Sequence, residues 1–155
     1  MDVGIDFSAD IEPGIGLANI KINMPVARYV QDMYARYSVE VRNYSVPVLR
    51  TVYILDDVVR ITVGQDGIIS AIGCNERYEG KVAGLELFPG QKFCDIRAAT
   101  KRQRIFNGSL IVDEDFGLSF VLPPPYDEVA DTLEDIPGNL VLPEIYVADF
   151  SSWRV

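Results

Sequence analysis

The chain has 155 residues, 48% of them hydrophobic, with 14 Lys and Arg against 23 Asp and Glu, two Cys and no His. A domain of this length buries a sizeable core, and no apolar run approaches the roughly 20 residues of a membrane-spanning helix. The lack of His removes the commonest general base near neutral pH and the commonest metal ligand.

Residues 1–14, MDVGIDFSADIEPG, carry Asp where a secretory leader carries Lys or Arg, and no continuous apolar stretch follows. The expectation is a cytoplasmic protein. Cys74 and Cys94 are then expected to be free thiols and small core residues, a bridge between them being the alternative. Charge is divided unevenly. Residues 1–104 hold 13 acids and 13 bases, whereas residues 105–155 hold ten acids against Arg154. Such a segment repels nucleic acid and anionic lipid and attracts a basic protein surface. The alternative is that these acids serve solubility alone.

In chain order, Pro13-Gly14-Ile15-Gly16 reads as a turn and residues 17–22 as a short strand, with Ile20 and Ile22 on one face. A helix follows from Asn23 or Met24, with Pro25 in its first turn and Val26, Val30, Met33 and Tyr37 at helical spacing. Asp32 lies four residues from both Arg28 and Arg36, which makes the opposite face a solvated one. From Ser38 the period becomes two. Strands are expected over 39–44, 48–55, 58–63 and 68–73, antiparallel because Asp56-Asp57 and Gly64-Gln65-Asp66-Gly67 are of hairpin length. Pro47 marks a break or an edge.

The second half repeats the first in outline. Ala83-Gly84-Leu85-Glu86-Leu87 can be set against Ala18-Asn19-Ile20-Lys21-Ile22, and Phe93, Ile96 and Ala99 are spaced like a brief helix. Strands over 104–112 and 118–122 are joined by Asp113-Glu114-Asp115-Phe116-Gly117. This places possible repeat halves at 11–74 and 80–147. After Pro123-Pro124-Pro125 the acidic stretch 126–139 reads as a loop in which one short helix would align Asp127, Asp131 and Asp135. Residues 140–147 return to strand character, with Pro143 arguing for an edge. The tail Phe150-Ser151-Ser152-Trp153 reads as cover for the sheet.

Chemistry is sparse. Asp113-Glu114-Asp115 opens like a calcium loop, but Phe116 and an apolar strand occupy the remaining ligand positions, so a hairpin turn is the better reading. Cys74 and Cys94 have neither a CxxC partner nor a His for zinc. The glycine pairs lack phosphate-loop spacing. No cofactor or metal is expected, and carboxylates are too numerous for any pair to stand out as acid and base.

The opening Ile11-Glu12-Pro13-Gly14-Ile15-Gly16-Leu17-Ala18-Asn19-Ile20-Lys21-Ile22-Asn23-Met24, followed by an amphipathic helix and short strands, resembles small bacterial proteins with a "PG.G...I.lGm" start. Asn23 replaces their usual second glycine, and the second copy is degraded. Their fold is similar to that of beta-lactamase inhibitor protein. Some are encoded beside polymorphic toxins of type VI secretion or contact-dependent inhibition systems and look like immunity proteins. The resemblance implies a non-enzymatic protein that occludes a cognate toxin. No catalytic residue is carried over.

The expected fold is therefore α+β, a curved antiparallel sheet with one or two helices packed on it. The expected partner is a basic toxin, a nuclease or nucleotide-using enzyme, met by a monomer before complex formation. The charge distribution nominates Asp113, Glu114, Asp115, Phe116, Tyr126, Asp127, Glu128, Asp131, Glu134 and Asp135 as contact residues. A carboxylate-based enzyme and a phage or secretion structural module are the competing readings.

Overall fold

The computed structural model describes residues 4–153, so Arg154 and the first three residues of the leader reading lie outside the described chain. Strands β1 (Gly16–Leu17) and β2 (Ile20–Lys21) form a hairpin. The single strand expected over 17–22 is therefore broken. Ala18 and Asn19 both adopt left-handed backbone, φ 55° and 62°, which closes a tight turn of the primed type. Alanine gives no sequence signal for this. The conformation is held from outside, because the Tyr78 hydroxyl accepts the Ala18 N–H at 2.8 Å.

Helix α1 (Ala27–Arg36) begins two residues after Pro25 and buries Met33, while Tyr29, Val30 and Tyr37 also pack on the core. Asp32 pairs with Arg36 at 3.2 Å on the outer side, and the same carboxylate accepts the Ile5 N–H at 2.7 Å. Strands β3 (Val39–Tyr44), β4 (Arg50–Leu55), β5 (Val59–Gly64) and β6 (Ile69–Cys74) form an antiparallel meander. They lie within two residues of the expected ranges. Asp56 and Asp57, at φ 51° and 55°, make the β4–β5 turn.

The second half runs β7 (Gln91–Lys92), α2 (Phe93–Ala99), β8 (Gln103–Phe106), β9 (Ser109–Val112) and β10 (Leu118–Val121). It continues through α3 (Tyr126–Val129), a 3-10 turn at Leu133–Asp135, β11 (Val141–Leu142), β12 (Glu144–Ala148) and a 3-10 turn at Ser151–Trp153. Three expectations are corrected here. The strand over 104–112 is a hairpin turning at Asn107-Gly108, φ 45° and 76°. Asn-Gly between apolar runs is the strongest short hairpin signal there is, so this turn was legible and was missed.

The single acidic helix is replaced by the one-turn helix α3 and the 3-10 turn at Leu133–Asp135. Mutual repulsion weakens a helix carrying Asp127, Asp131 and Asp135 at four-residue spacing. The Asp135 carboxylate instead accepts the backbone N–H groups of Asp131 and Thr132, each at 3.0 Å. The edge strand expected over residues 140–147 is divided: β11 is an edge with one partner strand, and β12 is not. Pro143 stands between β11, which pairs with β7, and β12, which lies inside the large sheet. Proline sits at the corner, where no ladder N–H is required.

The large sheet is open and has the order β3-β4-β5-β6-β12-β10-β9-β8. The first half supplies β3 to β6, the second supplies β8, β9, β10 and β12, and the halves meet through the pairs Ile72↔Val147 and Cys74↔Ile145. Each half thus runs helix, then four strands, with the last strands joined. Asn19 and Gly84, set against each other in sequence, are both left-handed, φ 62° and 74°.

One face of the sheet presents Leu55, Ile61, Ile72, Val147, Phe120 and Leu110, which join Met33, Phe93, Ile96, Leu17 and Ile20 in one buried cluster. Burial of each such side chain contributes about 1.5–3 kcal/mol. The helices and small hairpins lie on this face. Cys74 is buried there, whereas Cys94, expected in the core, is exposed.

Candidate binding surface

Side chains alternate across a strand, so the register defines what the opposite face carries. Following the ladder pairs from edge to edge, one row contains Glu40, Ile54, Arg60, Gly73, Tyr146 and Ser119. On the far side Ile111 and Arg104 pair with each other in the same phase. Ile54, Ile111 and Ala148 are buried yet stand outside the main core cluster.

At the centre of this row Tyr146 packs over Gly73. A Cβ at Gly73 would come within 2.4 Å of the Tyr146 Cε1 atom, so only glycine lets the ring settle on the strand beside it. Burial pushes the Tyr146 phenol above its ordinary value, and the Glu144 charge adds to the rise while Arg60 opposes it. The phenol therefore remains neutral as a donor and acceptor. Arg60 and Tyr146 are both partly exposed, in the manner of an anchor reachable by a partner.

Toward β8 the same face ends in aromatic rings. Trp153 stacks on Phe150 at 4.7 Å and on Phe106 at 5.9 Å, and Phe106 meets Phe116 at 6.3 Å. The Arg104 guanidinium lies 4.9 Å from the centre of the Phe106 ring and pairs with Glu114 at 3.2 Å. The tail is thus a cover on the sheet, at one end of the open face.

The residues nominated from charge separate into two groups. The Asp113 carboxylate accepts the N–H groups of Lys101 and Arg102 at 2.7 and 2.9 Å, and Asp115 accepts that of Gly117 at 3.0 Å. Asp113 and Glu114 are left-handed, φ 51° and 58°, as the hairpin reading of this stretch requires. Phe116 is buried. Tyr126 packs on the core, while Asp127, Glu128, Asp131 and Glu134 are exposed around it. Asp135 is held by its bonds to the chain, and those hydrogen bonds keep its carboxyl below the usual range. The acids that remain for a partner are those of the β10–β11 connection, beside the β8–β9 turn. Gly108 there approaches the Asp127 backbone so closely that a Cβ would stand 2.7 Å from its carbonyl oxygen.

A cleft of about 600 Å³ opens between the β1–β2 hairpin and α1, lined among others by Glu12, Asn19, Lys21, Tyr29 and Asp32. Several of its polar groups are engaged. The Tyr29 hydroxyl accepts the Lys21 N–H at 3.1 Å, and Asp32 has the partners named above.

No family model matches the chain, and comparison with curated proteins and with solved structures finds no match. The surface is therefore read from its own chemistry. Arg60, Ile54 and Ile111 were missed in the sequence. The signal available was the loss of alternation, since Ile54-Leu55 and Leu110-Ile111-Val112 are buried consecutively where a one-faced strand buries every second residue.

Proposed function

We propose that this chain is an immunity-type inhibitor that binds a cognate toxin in the cytoplasm and occludes its active site. The observation that carries this reading is the sheet face opposite the main core cluster, where Tyr146 and Arg60 stand partly exposed beside the buried Ile54, Gly73 and Ser119. Tyr and Arg in such surroundings are the residue types that dominate binding energy at interfaces. The acids of residues 127–134 supply a second element, a negative rim that steers a basic partner toward the sheet and accelerates encounter. A nuclease or nucleotide-using enzyme, whose cleft must be cationic to hold phosphate, has the complementary charge.

The test is co-expression with the product of an adjacent toxin gene. The expected result is protection of the cell and a stable complex in which Arg60→Ala and Tyr146→Ala each weaken affinity roughly tenfold or more. Arg60 also interacts with the Tyr146 phenol, so circular dichroism and thermal melts on each variant separate loss of contact from loss of fold. Absence of both protection and complex would overturn the proposal.

A further inference from the structure

The two ends of the large sheet are managed differently. β8 has four residues and lies against the 3-10 turn Leu133–Asp135. β3 has six, its residues from Glu40 onward are exposed, and it is followed by a loop with Val46, Val48 and Leu49 at 79%, 62% and 52% exposure. It carries no Pro or Lys, and its register with β4 is regular. Short length, Pro, Lys and bulges are devices by which natural proteins blunt a free edge; β3 has none of these, and its only charges are the opposite pair Glu40 and Arg42.

The outward hydrogen-bonding groups can be assigned. The Asp56 N–H donates to the Ser38 carbonyl at 2.9 Å, so Ser38 and Asp56 are a hydrogen-bonded pair. By antiparallel alternation Glu40, Arg42 and Tyr44 also turn their backbone groups toward β4. Those of Val39, Val41 and Asn43 point away from the sheet.

We infer that β3 pairs antiparallel with β3 of a second copy, about a two-fold axis at Val41. In this register Val41 bonds its own copy and Val39 bonds Asn43, all through outward groups. Glu40 then stands opposite Arg42 of the second copy, and Arg42 opposite its Glu40. The Arg42–Glu40 ion pair present within each chain becomes part of a four-charge cluster of alternating sign. Shifting the register by two residues either way sets Glu40 against Glu40 or Arg42 against Arg42, and like charges directly opposite are destabilising. The charge pattern of the strand is therefore complementary to itself in one alignment. That alignment carries the apolar tip loop of each copy to the level of the C-terminal end of the other copy's α1. The pairing leaves the central row at Arg60 and Tyr146 uncovered, so it is independent of the proposed inhibitor role.

The test is sedimentation equilibrium of the full chain over a concentration series. Wild-type protein is expected to dimerise. Glu40→Arg and Arg42→Glu should each weaken the dimer roughly tenfold or more, because two cross-strand pairs become repulsive. An equimolar mixture of the two variants, and the double variant carrying both changes, should recover association. Circular dichroism on each variant separates loss of pairing from loss of fold. A wild-type monomer throughout the series overturns the inference, as does a dimer indifferent to the charge exchanges. If wild type is a monomer and Val41→Pro abolishes toxin binding with its circular dichroism unchanged, the edge serves the toxin and the self-pairing is rejected.

Discussion

Tyr146 and Gly73 are cross-strand neighbours at the seam between the halves, and the ring occupies the space that a side chain at 73 would need. Gly73→Ala is accordingly expected to destabilise the protein by about 1–3 kcal/mol, the usual cost of forcing atoms into a filled site. Urea unfolding measures this. The same substitution in a Tyr146→Ala background should cost much less, and an additive pair of effects would show that the contact is not the cause.

Tyr78 provides a second pivot. Its hydroxyl accepts the Ala18 N–H at 2.8 Å and donates to the Ala9 carbonyl at 2.7 Å. Tyr78→Phe keeps the ring and strands both backbone groups. A loss of about 1–3 kcal/mol is expected, the penalty for a buried group left unpaired. Unchanged denaturant midpoints would mean that water replaces the hydroxyl.

The two thiols should differ in reactivity. Burial pushes the Cys74 thiol up to about 12, and Cys94 is exposed. Ellman's reagent at mildly alkaline pH is expected to label Cys94 in the native protein and Cys74 only after unfolding. Rapid native labelling of both would contradict the packing around β6.

The same burial gives a pH dependence with a definite sign. A thiol or phenol whose folded-state value is raised stabilises the fold fully below its unfolded value and progressively less as pH rises. For Cys74 the loss runs from about 9 to about 12. Tyr37, Tyr78 and Tyr146 are raised by burial as well and act in the same direction. Stability should therefore fall on the alkaline side, and Cys74→Ala should remove the first part of that fall in melts from pH 8 upward.

The acidic connection can be tested without disturbing its fold. Asp127, Glu128, Asp131 and Glu134 are exposed, whereas Asp135 holds two backbone N–H groups. Replacing the first four by Asn or Gln is expected to slow association with a basic toxin and flatten its salt dependence while leaving the melting temperature unchanged. Asp135→Asn should instead lower the melting temperature. Equal association rates at low and moderate ionic strength for wild type and variant would remove this segment from the electrostatic face.

Local periodicity by itself determined a good part of this molecule. The helical spacing of Val26, Val30 and Met33, the period-two run from Val39 to Cys74 and the acidic turn at Asp113 each answer to residues within a few positions, and each is found where expected. Asn107-Gly108 was equally local and was overlooked. Other features depend on partners far away in the chain. Ala18 turns left-handed because Tyr78 receives its N–H, β12 becomes central because β6 and β10 close on it, and Asp113 serves two backbone donors before it can serve a partner. The proposed binding face is of this second kind. Glu40, Arg60, Tyr146 and Arg104 share a phase only once the order of the strands is decided, and that order follows from which apolar faces bury one another, a choice made by the folded chain as a whole.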